Sequence, residues 1–290
     1  MREQLQAHVE KRVQQYVSVD RSAGCEKIER KKEGLSKRSC EIVKANAIGK
    51  IRKIGEVKDE LCFVQYDVHF KYLIKQKGLF HLEEEIESRT AEFYKGVLVE
   101  DKEINPYEAY VVENHPVHSE EDAEERISYQ YNRLKAVQYA ETWWNSYNPA
   151  YKSFDVDCTN YISQCLHAGG APMRGYPNRS NGWWMRSNNW SYSFTVANSM
   201  RWYLAGSKLG LRAREVSSPE ELLLGDVICY DFQGDGRFDH TTIVTAKDTD
   251  GMPYVNAHTT NSRMRYWAYE DSTAYTPNMK YKFYSIVDDQ

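Results

Sequence analysis

The sequence predicts an α+β protein of two domains. Three observations carry that expectation. Charged segments with apolar residues at helical spacing open the chain, runs with strict alternation follow them, and the second half repeats the order of helices first and strands after. A length of 290 residues suits two domains, which we divide as 1–118 and 119–290.

The first element, from Arg2 to Val17, places Leu5, Val9, Val13 and Tyr16 on one helical face. Residues Cys25 to Ile51 are rich in Lys, Arg and Glu and read as one or two further helical pieces. A break falls near Gly34, and the charges form a solvated face. The period then changes. Val64, Tyr66, Val68 and Phe70 alternate with Gln65, Asp67 and His69, the signature of a half-buried strand. Gly78 marks a turn. Phe80, Leu82 and Ile86 point one way in the next run. Phe93, Lys95, Val97 and Val99 alternate with Tyr94, Gly96 and Leu98 in a third. The first domain is therefore α+β, helices followed by an antiparallel meander. Its histidines, His69 and His81, read as strand residues, and its lack of a catalytic constellation leaves it a binding role toward a partner the sequence does not name.

Asn105-Pro106-Tyr107 and His115-Pro116 mark an irregular connection. Ser119 then caps a helix whose first turn holds Glu120, Glu121 and Asp122, and which turns Ile127, Tyr131, Leu134 and Val137 inward. The next helix opens at Cys158. Tyr161, Ile162, Cys165, Leu166 and Ala168 give it apolar spacing, and Gly169-Gly170 stop it. A loop-rich stretch from Ala171 to Phe194 carries Trp183, Trp184, Trp190 and Tyr192, either as the aromatic wall of a cleft or as core under a long loop. Thr195 to Leu204 reads as a helix, and Ser218-Pro219-Glu220-Glu221 as a capping box. Strands follow at Val227–Tyr230, Thr241–Thr245, Pro253–His258 and Tyr281–Ile286.

The chemistry centres on Cys158. The first turn of a helix favours a thiolate through its unpaired N–H groups and its dipole. A nearby imidazole turns a mostly protonated thiol into a thiolate–imidazolium pair, then protonates the leaving amine. His240, at the start of a strand, can serve. Its far nitrogen needs an orienting partner, and Asn256 and His258, two apart on the next strand, share a face from which either could supply one. Oxyanion donors would be backbone N–H groups around Cys158. Cys165, on the same helix, reads as a core thiol.

The stretch Asp157-Cys158-Thr159-Asn160-Tyr161-Ile162-Ser163-Gln164-Cys165, then Gly225-Asp226-Val227-Ile228, Asp239-His240 with Ile243-Val244-Thr245, and His258-Thr259, resembles the bacterial putative amidase domain family. That family is similar to the NlpC-type and CHAP cysteine peptidases, and the resemblance spans roughly 127–286. It implies a papain-like domain in which a helix bears the cysteine and an antiparallel sheet bears the histidine. It implies Cys158 as nucleophile, His240 as base, and His258 as the third residue, with Asn256 as the alternative. Trp183 and Trp184 also resemble the family's pair, and with Asp157, Asn160 and Asp239 they are the candidate substrate-binding residues. The substrate implied is an amide or peptide bond, for instance in peptidoglycan; no cofactor is expected.

Other features set bounds. No apolar run approaches the roughly 18 residues of a membrane span. The N-terminal residues lack the apolar core of a secretory signal, which makes the cytoplasm the default location, with export by another route or a missing leader as the alternatives. A net charge of −4 and the absence of a basic aromatic stripe argue against nucleic acid. The six cysteines are scattered without metal-ligand spacing and read as reduced thiols. Asp231 to Asp239 is faintly like a calcium loop but lacks its ligand spacing, and zinc on Cys158, His240 and His258 is disfavoured, so no metal is expected. The competing function is a non-catalytic glycan- or peptide-binding module on a degenerate domain of the same kind.

Overall fold

The computed structural model describes residues 1–18, 25–108 and 128–289. In chain order its elements are α1 (Arg2–Val17), α2 (Glu26–Lys37), β1 (Cys40–Ile54), β2 (Leu61–Gln76), β3 (Leu79–Tyr94) and β4 (Val97–Glu103). The second half holds α3 (Arg133–Trp143), α4 (Cys158–Ala168), β5 (Met185–Arg186), β6 (Asn189–Trp190), α5 (Tyr192–Thr195), α6 (Ala197–Gly206) and β7 (Arg212–Val216). A short 3₁₀ turn (Pro219–Glu221) leads to β8 (Val227–Asp231), β9 (His240–Lys247), β10 (Pro253–Ala257), β11 (Ser262–Tyr266) and β12 (Lys280–Val287). The protein is α+β, and its sheet pairings are antiparallel.

Two compact units form. Unit 1 contains Met1–Pro106 and Thr260–Ala274; unit 2 contains Tyr107–Thr259 and Tyr275–Gln290. A contiguous split at 118/119 therefore differs from the structure. β11 leaves the second half because it pairs with Glu84 and Glu85 of β3.

In unit 1 the strands run in the order β1–β2–β3–β11, with β4 also on β3. Two hairpins close on Lys77-Gly78 and Lys95-Gly96, all four residues at positive φ, as tight turns between twisted strands require. β2 alternates as expected, with Val64, Tyr66, Val68, Phe70, Tyr72 and Ile74 buried against Leu5, Val9, Tyr16, Ile28 and Leu35 of the helices.

Three expectations are corrected here. The Lys/Arg-rich stretch holds only one helix, which runs through Gly34; from Cys40 the chain is a long strand. Phe80 and Leu82 face outward, at 59% and 37% exposure. The inward positions of β3 are Glu83, Glu85, Glu87, Arg89, Ala91 and Phe93, so charged side chains occupy the face a hydrophobic pattern would fill. Lastly, Phe93 and Val97 belong to different strands, joined by the Lys95-Gly96 turn.

The buried carboxylates are matched by buried cations. Lys31 Nζ bonds Glu83 and, at 2.7 Å, Asp271; Lys27 Nζ meets Glu87 at 2.7 Å and Glu103 at 2.9 Å. Arg12 and Arg89 also contact Glu87, at 3.1 and 2.6 Å. Burial alone would raise the Glu87 carboxyl; Lys27, Arg12 and Arg89 outweigh it and hold it down at about 2. The charges of α2 are thus a buried face as much as a solvated one.

Unit 2 carries the sheet order β10–β9–β8–β12–β7. α4 packs with α3 and β9 around Tyr161, Ile162, Cys165, Leu166, Val227, Cys229 and Ile243. The start expected for a helix at Ser119 lies outside the described residues; residues 128–132 are not helical, and α3 begins at Arg133, where Asn132 accepts the N–H of Lys135, while Tyr131 precedes it and donates its hydroxyl to the Gly225 carbonyl.

Lys31→Met leaves Glu83 and Asp271 buried with one cation fewer. Urea unfolding is expected to show a loss of about 3–5 kcal/mol, the usual cost of breaking a buried pair from one side; a loss below 1 kcal/mol would show that water already screens the cluster.

Candidate active site

Cys158 is the first residue of α4, as its sequence position predicts. The N-terminus of that helix is held from outside. Thr259 Oγ1 accepts the N–H of Asp157 at 2.8 Å and of Cys158 at 3.1 Å. Asp157 divides its carboxylate. Oδ1 accepts the N–H of Phe154 and the Asn160 amide, each at 2.9 Å, and Oδ2 lies 2.9 Å from His258 Nδ1. Asn160 also donates to the Lys152 carbonyl at 2.8 Å. Asp157 and Asn160 are therefore buried and bonded into the start of the helix.

Cys158 is 2% exposed. Its sulfur lies 3.7 Å from Thr159 Oγ1 and 4.0 Å from the carbonyl oxygen of Asp239, the residue before His240. Burial pushes the thiol up, against the Thr241 N–H and the Thr159 hydroxyl, which favour the thiolate. The expected lowering by the helix terminus is thus outweighed in this closed arrangement. Cys165, the core thiol for comparison, is pushed well up by burial.

His240 begins β9 as expected, but its imidazole is not hydrogen-bonded to Cys158. Thr241 Oγ1 lies 3.1 Å from Thr159 Oγ1, and Ile243 packs with α4, so that face of β9 meets the helix. Alternation puts His240 and Thr242 on the other face. There the Thr242 hydroxyl lies 3.1 Å from that of Tyr230. The imidazole is fully buried among Tyr107, Tyr230 and Phe232, with Nδ1 2.6 Å from the Tyr107 hydroxyl.

Neither expected third residue orients His240. His258 spends both nitrogens elsewhere, Nδ1 on Asp157 and Nε2, at 2.7 Å, on the carbonyl of Trp143; its ring stacks on Tyr161 with centroids 4.0 Å apart. Asn256 accepts from Thr245 and donates to Glu141. The residue on the His240 nitrogen is Tyr107, which no spacing rule pointed to.

Trp183 and Trp184 are core. Both are essentially unexposed, with indole N–H groups donating to Ser163 and to the carbonyls of Asn178 and Asn181. Of the aromatic loop, Tyr176 is the exposed member, at 49%. The Asp231–Asp239 loop is shaped by its first carboxylate, which accepts the N–H groups of Gly234, Asp235 and Gly236. Those oxygens are committed to backbone donors. Cys158, His240 and His258 do not converge, so they form no zinc-ligand set. Asp239 accepts the Phe232 N–H at 3.0 Å; burial, reinforced by Asp231 and Asp235, pushes its carboxyl up to about 6.

The family model described as a putative amidase domain matches residues 130–284. The chain is 54% identical over 268 residues to the uncharacterized protein YhbB of Bacillus subtilis (strain 168), covering 90% of this chain and 86% of that protein. It is 33% identical over 140 residues to the uncharacterized protein YjcM of the same organism, 45% of this chain and 31% of YjcM. No solved structure matches.

Asp239 holds its proton more tightly in the folded state than the ordinary carboxyl range of about 4. Its contribution to stability is full below that range and is lost as pH rises through about 6. Asp239→Asn keeps an acceptor for Phe232 and cannot ionise. Its melting temperature relative to wild type is expected to climb between pH 4 and 7; a difference that stays flat with pH would show that Asp239 ionises freely.

Proposed function

The chain belongs to the putative amidase domain family, and on that premise we propose that unit 2 is a cysteine-dependent hydrolase of amide or peptide bonds built on a papain-like, NlpC-type domain. The observation that carries the proposal is the seat of Cys158. It is the first residue of α4, and its sulfur lies against the β9 backbone one residue from an imidazole.

The chemistry follows from those groups. His240, once turned from Tyr107 toward the sulfur, takes the thiol proton. The thiolate attacks the carbonyl carbon, forming an S–C bond while negative charge moves to the carbonyl oxygen. The N–H groups of Asp157 and Cys158, which already converge on one oxygen, can receive that charge when Thr259 yields them. The C–N bond then breaks, and the imidazolium gives its proton to the departing amine. Water, deprotonated by the same imidazole, attacks the thioester; a carboxylic acid leaves and the thiol returns. His258 acts through Asp157, as a positioning residue for the helix start. Peptide bonds of peptidoglycan are the first substrate class to try.

A specific observation favours a second reading. The thiol is enclosed, with burial pushing it up, and the imidazole is bound elsewhere, as in a binding module that has lost its chemistry. One experiment separates the two. Amine release from peptidoglycan fragments and short peptides is measured for wild type and Cys158→Ala. The hydrolase reading expects turnover in wild type and its loss, by about 10³-fold or more, in the variant at unchanged thermal stability. Undiminished release by Cys158→Ala removes the thiol from the mechanism. Binding of the same fragments without release by either protein supports the module.

A further inference from the structure

We infer that the site is self-occupied: two of the protein's own hydroxyls, those of Tyr107 and Thr259, engage the groups that amide hydrolysis needs and hold unit 2 in a latent form. The inference rests on the hydrolase reading and adds a regulatory device to it.

Two groups are required, an imidazole free to reach the sulfur and N–H donors free to receive an oxyanion. Each is engaged by a hydroxyl from a distant point in the chain. Tyr107 lies 2.6 Å from His240 Nδ1 and packs its ring against Phe232, centroids 5.1 Å apart. Strand alternation puts the imidazole on the sheet face opposite Thr241, and the Tyr107 bond keeps the ring turned from the β9 edge, where the sulfur lies against the Asp239 carbonyl. Thr259 Oγ1 sits where the N–H groups of Asp157 and Cys158 converge, the position a developing oxyanion would take.

The backbone at Thr259 supports the same conclusion. Thr259 and Thr260 have φ of 59° and 68°, a region β-branched residues avoid. An ordinary cap would come from the helix's own N-cap residue, yet the Asp157 side chain caps no helix N–H. The hydroxyl is instead delivered from a strained backbone at the end of β10. Enclosure completes the picture, because Cys158 is 2% and His240 0% exposed, so no substrate carbonyl reaches the sulfur in this arrangement. Activation is then a local opening in which Tyr107 releases His240 and a substrate carbonyl oxygen replaces the Thr259 hydroxyl. Thr259 keeps the helix start satisfied until that exchange, and Tyr107 is the latch.

The test uses the full chain, wild type and Tyr107→Phe. The readouts are iodoacetamide alkylation of each cysteine by peptide mass spectrometry, and amine release from peptidoglycan fragments. Tyr107→Phe keeps the ring and removes the hydroxyl. Its Cys158 alkylation is expected to accelerate about tenfold, the scale of one lost hydrogen bond, with Cys165 and Cys229 unchanged. Unchanged or slower Cys158 alkylation overturns the latch, and so does a fall in Cys158-dependent release, since Tyr107 would then be orienting the base rather than withholding it.

A wild-type measurement guards against a loosened variant. With a latch that opens locally, Cys158 alkylation is nearly flat in low urea while Cys165 and Cys229 follow global unfolding. Cys158 tracking the other two overturns the inference whatever the variant does. Faster alkylation of Tyr107→Phe with no Cys158-dependent release from either protein leaves the latch standing and removes the hydrolase reading.

Discussion

The position of the Cys158 sulfur depends on one buried polar network at the start of α4. Thr259 takes the N–H groups of Asp157 and Cys158. The Asp157 carboxylate ties the preceding loop, Asn160 and His258 together. His258 reaches on to the Trp143 carbonyl and stacks on Tyr161, whose hydroxyl donates to the Ala140 carbonyl. The end of α3, the first turn of α4 and the end of β10 are therefore fixed relative to one another by hydrogen bonds in a low-dielectric interior. Each bond there is strong while its partners remain and costly to leave half made. Cys158 makes only long sulfur contacts of its own. Its neighbours, rather than its own packing, determine where the sulfur stands.

That arrangement explains which parts of the site could be read from the sequence. α4 was legible because its signals are local: apolar spacing, two terminal glycines, and a polar residue before the first turn. The start of β9 was legible for the same reason. The partners of Cys158 and His240 were not. Tyr107 meets an imidazole 133 positions away, and Thr259 caps a helix 101 positions away, with no period linking either pair. Asn256 and His258 do share a face, as alternation requires, but that face looks toward Glu141 and Asp157 instead of His240. Alternation decides which side chains share a face; it does not decide what lies opposite. The tryptophans show a related limit. An aromatic loop beside a cysteine fits a cleft wall as well as a plug, and the buried indole N–H bonds of Trp183 and Trp184 decide for the plug.

Unit 1 shows what a hydrophobic pattern cannot see. Read by polarity, β3 puts Phe80 and Leu82 inside and its glutamates outside. The structure does the reverse because α1 and α2 bring Arg12, Lys27 and Lys31 to the same face. A shift of one residue in the pairing of β3 would turn Glu83, Glu85 and Glu87 to the solvent and strand those cations in the interior. The carboxylates therefore select the register even where their net contribution to stability is small, since a wrong register leaves unpaired buried charge. The same clash of polarity with position hid β1. Its exposed Glu41, Lys44, Lys50, Arg52 and Lys53 stand beside the exposed Val43, Ile48 and Ile54, so no clean alternation separated a long strand from a further stretch of charged helix.

If Cys158 is the proposed nucleophile, chemistry gives a reason for it to rest enclosed. The thiolate is the form that attacks a carbonyl, and it is also the form that oxidants attack. Burial that keeps Cys158 protonated and excludes solvent makes the sulfur poorly reactive toward both. Helix terminus and strand backbone nevertheless remain in place around it, so little has to be built when the site opens. In the proposed opening, His240 swings from its sheet face to the β9 edge at Asp239, and one oxygen exchanges for another at the two convergent N–H groups. On the proposed reading, protection and readiness are properties of one arrangement, in which Tyr107 and Thr259 stand in for the partners that substrate binding would supply.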